Sequence, residues 1–142
     1  MFKIFVDGSS GTTGLRITDR LSLDKEIRLI VLPEAYRKDP EAKKEAMEAA
    51  DVVFLCLPDD AAKEAVSLLD NDHTVIIDTS TAHRTDPSFA YGFPEAGQLK
   101  KKILSSKRIA NPGCYASGFI ALTAPLIENG LGKRDQLLTC FA

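Results

Sequence analysis

The chain holds little of the material from which covalently or metal-braced scaffolds are built. Its three cysteines, Cys56, Cys114 and Cys140, are widely separated with no C-x-x-C pair, which argues against a disulfide framework and against a zinc cluster. No metal site is expected. Neither sign of charge predominates: 18 basic and 20 acidic residues nearly cancel and are spread along the chain, so there is no basic footprint for a nucleic-acid backbone and no nucleic-acid partner is expected. No apolar run approaches the roughly 20 residues that cross a bilayer. Met1-Phe2-Lys3 passes directly into a strand-like segment without the charged and apolar blocks of a signal peptide. No membrane partner is expected, and the default address is cytoplasmic. Internal repeats, low-complexity tracts and linkers are absent as well.

What is present is the balance of a folded protein. The 142 residues are 44% apolar and 27% charged, enough to bury a core and far from the composition of a disordered tail. "FKIFVD" (2–7) reads as a strand, "GSSGTTG" as a loop and "LRITDRLSL" (15–23) as a helix. "IRLIVLP" (27–33) is a second strand, its near-continuous apolar run that of a parallel strand covered on both faces. "DPEAKKEAMEAA" opens on an Asp cap with proline in the first turn, "DVVFLCLP" (51–58) is a third strand, and "DDAAKEAVSLLD" is a helix behind an Asp cap. "TVIIDTS" (74–80) supplies a fourth strand, "AYGFPEAGQLKKKILSS" a loop and short helix, and "RIA" (108–110) a fifth strand. Strands alternating with helices predict an α/β fold, a doubly wound parallel sheet of the Rossmann-like dinucleotide-binding type. A helix-like run then leads to "QLLTCFA", a strand start with no partner in a finished parallel sheet. The expected division is therefore residues 1–110 as a dinucleotide-binding domain and 111–142 as the beginning of an incomplete second α+β domain.

Gly8, Gly11 and Gly14 form G-x-x-G-x-x-G between the first strand and first helix. Glycines there permit a tight reversal and close approach to a pyrophosphate, which sits on the free N–H groups at the helix N-terminus. Ser9, Ser10, Thr12 and Thr13 add hydroxyls. The spacing departs from the commoner G-x-G-x-x-G, and a structural tight turn is the competing reading. Glu34 stands near the place of the acidic residue that binds an adenosine ribose, but Arg37 and Lys38 follow it and can accept a 2'-phosphate. That tilts the cofactor toward NADP over NAD, a solvated loop being the alternative.

Cys56 and Cys140 lie in apolar strand contexts where cysteine packs as a small hydrophobe. Cys114 differs: "ANPGCYASG" sets it behind a proline and a glycine at the start of a helix. Free N–H donors and the positive end of the helix dipole can lower a thiol's pKa from about 8.5 toward neutrality and yield a nucleophilic thiolate. Pro112 stiffens the approach, and Gly113 lets the backbone turn sharply and leaves space beside the sulfur. Asn111 is a candidate donor to an oxyanion on an attacked carbonyl, or equally a turn former. A capping cysteine is the plain alternative for Cys114.

"DGSSGTTGL", "VFLCLPDDAAKEA", "IDTSTAHR", "YGFPE" and above all "ANPGCYASG" together resemble the N-acetyl-gamma-glutamyl-phosphate reductases, the shorter second type, along the whole chain. The resemblance implies NADPH-dependent reduction of an acyl phosphate, N-acetyl-glutamyl 5-phosphate, to the semialdehyde in arginine biosynthesis, with Cys114 carrying a thioester. It implies Gly8, Ser10, Gly11, Thr12, Thr13 and Gly14 as cofactor contacts, Pro58 and Ser80 near the nicotinamide, and a homo-oligomer at full length. Asn111 and Arg84 are the expected substrate contacts. One feature departs: the family takes its general acid-base histidine from the domain after the cysteine, and no histidine follows His83 here. His73 reads as an exposed loop residue and His83 as a loop or substrate-neighbouring one, a catalytic base being its lesser alternative. Losing an acid-base group typically costs on the order of 10² to 10⁴ in rate, so this chain alone is expected to be inactive or nearly so. A reductase of an aminoadipate phosphate derivative, a non-catalytic NADP-binding module and a purely structural role remain alternatives.

Overall fold

The structure, a computed structural model, describes residues 1–133 and Asp135. Strands β1 (Phe2–Asp7), β2 (Ile27–Ile30), β3 (Val52–Leu55), β4 (Val75–Asp78), β5 (Ala90–Tyr91) and β6 (Arg108–Ala110) join in one parallel sheet. Their order is β2-β1-β3-β4-β6-β5. Helices α1 (Thr12–Leu21), α2 (Pro40–Glu48), α3 (Asp59–Leu68), α4 (Leu99–Ser105) and α5 (Cys114–Glu128) alternate with them, and a 3₁₀ turn spans Glu34–Tyr36. The chain leaves β1 to one side for β2 and comes back to its other side at β3. α2 and α3 pack together on one face of the sheet, and the right-handedness general to such crossovers assigns α1 to the other, the doubly wound arrangement the alternation predicts.

Local chemistry fixes the element ends. Pro40 stands at the start of α2, and the Asp39 carboxylate accepts the Glu41 N–H at 3.0 Å, the cap expected of that pair. The Asp cap expected for α3 is not found: Pro58 is the N-cap, and Asp59 lies inside the first turn with its carboxylate turned toward Thr81. The core lies between the sheet and α2 and α3, where Phe5, Val53, Leu55 and Ile76 meet Ala46, Met47, Ala62, Ala65 and Leu69. Met47 and Leu55 are wholly buried, and each such side chain contributes about 1.5–3 kcal/mol over exposure.

Three expectations change. The sheet has a sixth strand, β5, in a segment that reads as loop, because two residues at an edge carry no periodic signal. β2 is the opposite edge and is half-buried at best, not covered on both faces. β3 and β4 alternate buried and half-buried residues, so only the α2/α3 face is fully sealed. The segment "QLLTCFA" and Cys140 lie outside the described residues. Finally, α5 is apolar along its length yet buries no residue. Tyr115, Phe119, Leu122 and Leu126 recur at helical spacing and are all exposed. None of the described helices is long and apolar enough to cross a membrane.

Candidate active site

The C-terminal ends of β1 and β3 mark the point where the winding reverses, the place where open parallel sheets bind ligands. The glycine loop sits there. Gly8 has φ +81, and a Cβ on it would fall 2.2 Å from the Cys56 carbonyl oxygen at the end of β3. Gly14 packs against the loop as closely, with an added Cβ 2.2 Å from the Gly8 oxygen. Gly11 accepts at its carbonyl the first helical bond, from Leu15 N–H at 2.8 Å, and as N-cap offers no side chain to the first turn of α1. The first-turn N–H groups therefore face outward without a capping acceptor. Ser10, Thr12 and Thr13 are exposed. This is a cradle from which Cβ atoms are excluded and which presents N–H donors, as a pyrophosphate requires.

Beside it, a cavity of about 570 Å³ opens between the glycine loop and the segment after β2. Asp7, Ser9 and Ser10 line one wall, Glu34, Arg37 and Lys38 the other, and Lys43 of α2 reaches in from below. Lys43 Nζ lies 2.9 Å from Asp7 Oδ2, the two side chains being 17% and 8% exposed. Arg37 Nε donates to the Leu32 oxygen at 3.5 Å, while Arg37, Lys38 and Glu34 are all exposed on the rim.

Cys114 occupies the first position of α5 and is exposed. Gly113 is the N-cap, with no side-chain cap, and its φ of −82 is open to any residue. The sharp turn expected at Gly113 therefore does not require glycine; the space beside it is taken up by the tip of Arg84. A Cβ on Gly113 would fall 2.7 Å from Arg84 Nη1. The guanidinium is held by Nε donating to the Asn111 oxygen at 3.1 Å and Nη2 donating to the Thr79 oxygen at 3.2 Å. Asn111 N–H in turn donates to the Asp78 oxygen at 2.7 Å, and its side-chain Nδ2 donates to the Pro112 oxygen at 3.3 Å. Arg84, Asn111 and Cys114 thus converge on one short turn at the end of β6.

The loop after β4 is tied from beneath. Asp78, fully buried, accepts Ser80 N–H at 2.9 Å and Ser80 Oγ at 2.7 Å, and its Oδ2 lies 2.6 Å from His83 Nδ1. The His83 ring stacks on Phe89 at 4.3 Å. From above, the Asp59 carboxylate accepts both Thr81 N–H and Thr81 Oγ, and those hydrogen bonds, the side-chain one first, hold its carboxyl below the usual range. Cys56, expected in the core, is half-buried just past β3, and burial pushes its thiol up against the opposing hydrogen bond from Thr79. Among the described residues, no three His, Cys, Asp or Glu side chains gather as a metal site. No hydrogen bond or ion pair joins the glycine loop to the Cys114 turn among the described residues. The Lys43–Asp7 and His83–Asp78 pairs are not visible in sequence, although Asp at the end of a strand that leads into a glycine loop is a position worth testing for a partner.

Residues 32–103 match the family described as "Semialdehyde dehydrogenase, NAD binding domain". The chain is 49% identical over 140 residues to N-acetyl-gamma-glutamyl-phosphate reductase 2 of Pseudomonas putida, covering 98% of this chain and 45% of that protein. It is 53% identical over 138 residues to the N-acetyl-gamma-glutamyl-phosphate reductase of Chelativorans sp., covering 96% and 44%. The chain thus spans less than half the length of these curated relatives. Among solved structures, the aspartate semialdehyde dehydrogenase with NADP from Candida albicans superposes with a TM-score of 0.61 at 20% identity, covering 91% of this chain and 47% of that one. That likeness is one of fold.

Proposed function

The chain belongs to the semialdehyde dehydrogenase NAD-binding domain family, and from that premise we propose that it supplies the cofactor site and the nucleophile of an N-acetyl-gamma-glutamyl-phosphate reductase. The protein would use NADPH to reduce N-acetyl-glutamyl 5-phosphate to its semialdehyde, a step of arginine biosynthesis. The observation that carries this reading is the exposed Cys114 thiol at the start of α5, with the Arg84 guanidinium fixed against the backbone beside it.

In this reading the Cys114 sulfur attacks the acyl carbonyl carbon. A C–S bond forms, the C–O bond to phosphorus breaks, and phosphate departs with the electron pair. Arg84 Nη1 and the first-turn N–H groups of α5 face the negative charge that develops on the carbonyl and phosphoryl oxygens. Asn111 Nδ2 keeps a second N–H for the oxyanion. NADPH, when bound, supplies hydride to the thioester, and release of the thiol then gives the aldehyde. Gly8, Gly11 and Gly14 with Ser10, Thr12 and Thr13 hold its pyrophosphate, while Pro58 and Ser80 stand at the nicotinamide end. Arg37 and Lys38 on the cavity rim favour NADP over NAD. The boundary between cofactor and substrate domains falls at Asn111, a placement supported by the apolar α5 that finds no cover among the described residues.

The test uses the protein carrying this chain, N-acetyl-glutamyl phosphate and intact-mass spectrometry. We expect one N-acetylglutamyl group on Cys114 with release of inorganic phosphate, none in Cys114→Ala, and unimpaired NADPH binding by that variant. Phosphate release that survives Cys114→Ala refutes the proposal.

A further inference from the structure

The cavity beside the glycine loop holds a charge pattern that the cradle for a pyrophosphate does not require. Glu34, Arg37 and Lys38 lie on its exposed rim. Deeper in, Lys43 Nζ sits 2.9 Å from Asp7 Oδ2, with the lysine side chain 17% and the aspartate 8% exposed. Asp7 ends β1 and Gly8 follows it, so the pair lies under the glycine turn, at the foot of the cavity whose other wall, after β2, is where this fold receives the adenosine ribose. A buried carboxylate there repels phosphate unless it is neutralised, and the Lys43 ammonium is what neutralises it. A primary ammonium has three N–H donors, and its contact with Asp7 is an ion pair in which Asp7 Oδ2 finds no hydrogen-bond partner among the described residues. The ammonium donors remain for a second anion, in a setting less screened than the rim, where each charge interacts more strongly.

We infer that Lys43 is a specificity-determining residue of this cavity, reading a phosphomonoester on the adenosine ribose of the bound dinucleotide, with Asp7 holding its ammonium in position. Arg37 and Lys38 are exposed charges at the rim that draw the same group in. Lys43 is the fixed one that discriminates. This rests on the NADP reading above and goes beyond it by assigning the discrimination to one buried pair.

The experiment measures the dissociation constants of the chain for NADPH and for NADH by nicotinamide fluorescence, in wild type, Lys43→Met, Lys43→Arg and the double variant Asp7→Asn/Lys43→Met. The readout is the ratio of the two constants. Both ligands sample the same folded fraction, so partial unfolding leaves the ratio alone. The double variant leaves no unpaired charge buried, which covers the case in which Lys43→Met fails to fold. Loss of a charge-assisted hydrogen bond to phosphate should lower the preference for NADPH about tenfold or more, in Lys43→Met and in the double variant alike, with NADH affinity little changed and Lys43→Arg close to wild type. Equal loss of both ligands, or a ratio that does not move, makes the pair structural and overturns the inference while the cofactor reading stands. Binding of neither ligand by wild type overturns the cofactor reading, and the inference falls with it.

Discussion

Replacing Gly8 by alanine isolates the backbone requirement of the loop from its ligand. Two costs follow from the geometry. At φ +81 a Cβ meets its own backbone, worth roughly 1–2 kcal/mol. The same Cβ would lie 2.2 Å from the Cys56 oxygen, far inside van der Waals contact. That carbonyl cannot swing away cheaply, because Cys56 N–H is bonded to the Asp7 oxygen at 2.9 Å and the β1–β3 register holds both. Overpacking of this kind typically costs about 1–3 kcal/mol. The sum, about 2–5 kcal/mol, is a large part of the roughly 5–15 kcal/mol that holds a domain folded. Gly11→Ala is the internal control. Its φ is −75 and its nearest non-neighbouring atom stands at 3.4 Å, so the change in stability should stay below about 1 kcal/mol, while the lost space on the pyrophosphate side weakens dinucleotide binding. Urea denaturation followed by circular dichroism decides between them. With a slope of about 1–3 kcal/mol per molar urea, the Gly8→Ala midpoint should fall by on the order of 1 M or more. A Gly8→Ala midpoint indistinguishable from wild type, or an equal fall in Gly11→Ala, refutes the reasoning.

The two described thiols should separate on alkylation. Cys114 is exposed, whereas Cys56 is half-buried and its thiol is pushed up by that burial, so at neutral pH iodoacetamide should modify Cys56 more slowly by on the order of tenfold or more, the gap narrowing as pH rises; equal rates by peptide mass spectrometry would count against the placement of both. The Asp59–Thr81 clamp gives a pH signature. The Asp59 carboxyl is held low first by the Thr81 hydroxyl and then by its N–H, so the clamp's contribution is full above the ordinary aspartate value of about 3.9 and is lost only as pH falls through the lower folded value. Thr81→Val should move the Asp59 midpoint up toward the ordinary value in a carboxyl-carbon NMR titration, and an unchanged midpoint would show that the hydroxyl does not hold it.

How much of this is readable in sequence depends on the range over which each cause acts. The order of strands and helices, the Asp39 cap and the glycine turn rest on neighbours within a few residues, and the structure reproduces them. β5 escapes because two residues at a sheet edge have no period, and the coverage of β2 is overread because an apolar run does not say whether its strand is central. The pairs that organise the site belong to another class. Lys43 meets Asp7, Arg84 meets Asn111 and Asp59 meets Thr81 only because parallel strands end side by side and deliver their loops to one edge.

Gly113 shows how a right residue can be read for the wrong cause. Beside a proline and before a cysteine, glycine suggests a turn that only glycine can make, yet its φ of −82 is available to alanine. What a side chain there would meet is Arg84 Nη1, 2.7 Å from its Cβ. The guanidinium is anchored at two backbone carbonyls, Thr79 after β4 and Asn111 after β6, and so carries the spacing between those two loops directly to the residue before the thiol. The glycine therefore leaves room for that guanidinium while the turn itself makes no demand on it: a larger residue would have to displace the tip of Arg84, with the backbone at 113 unchanged.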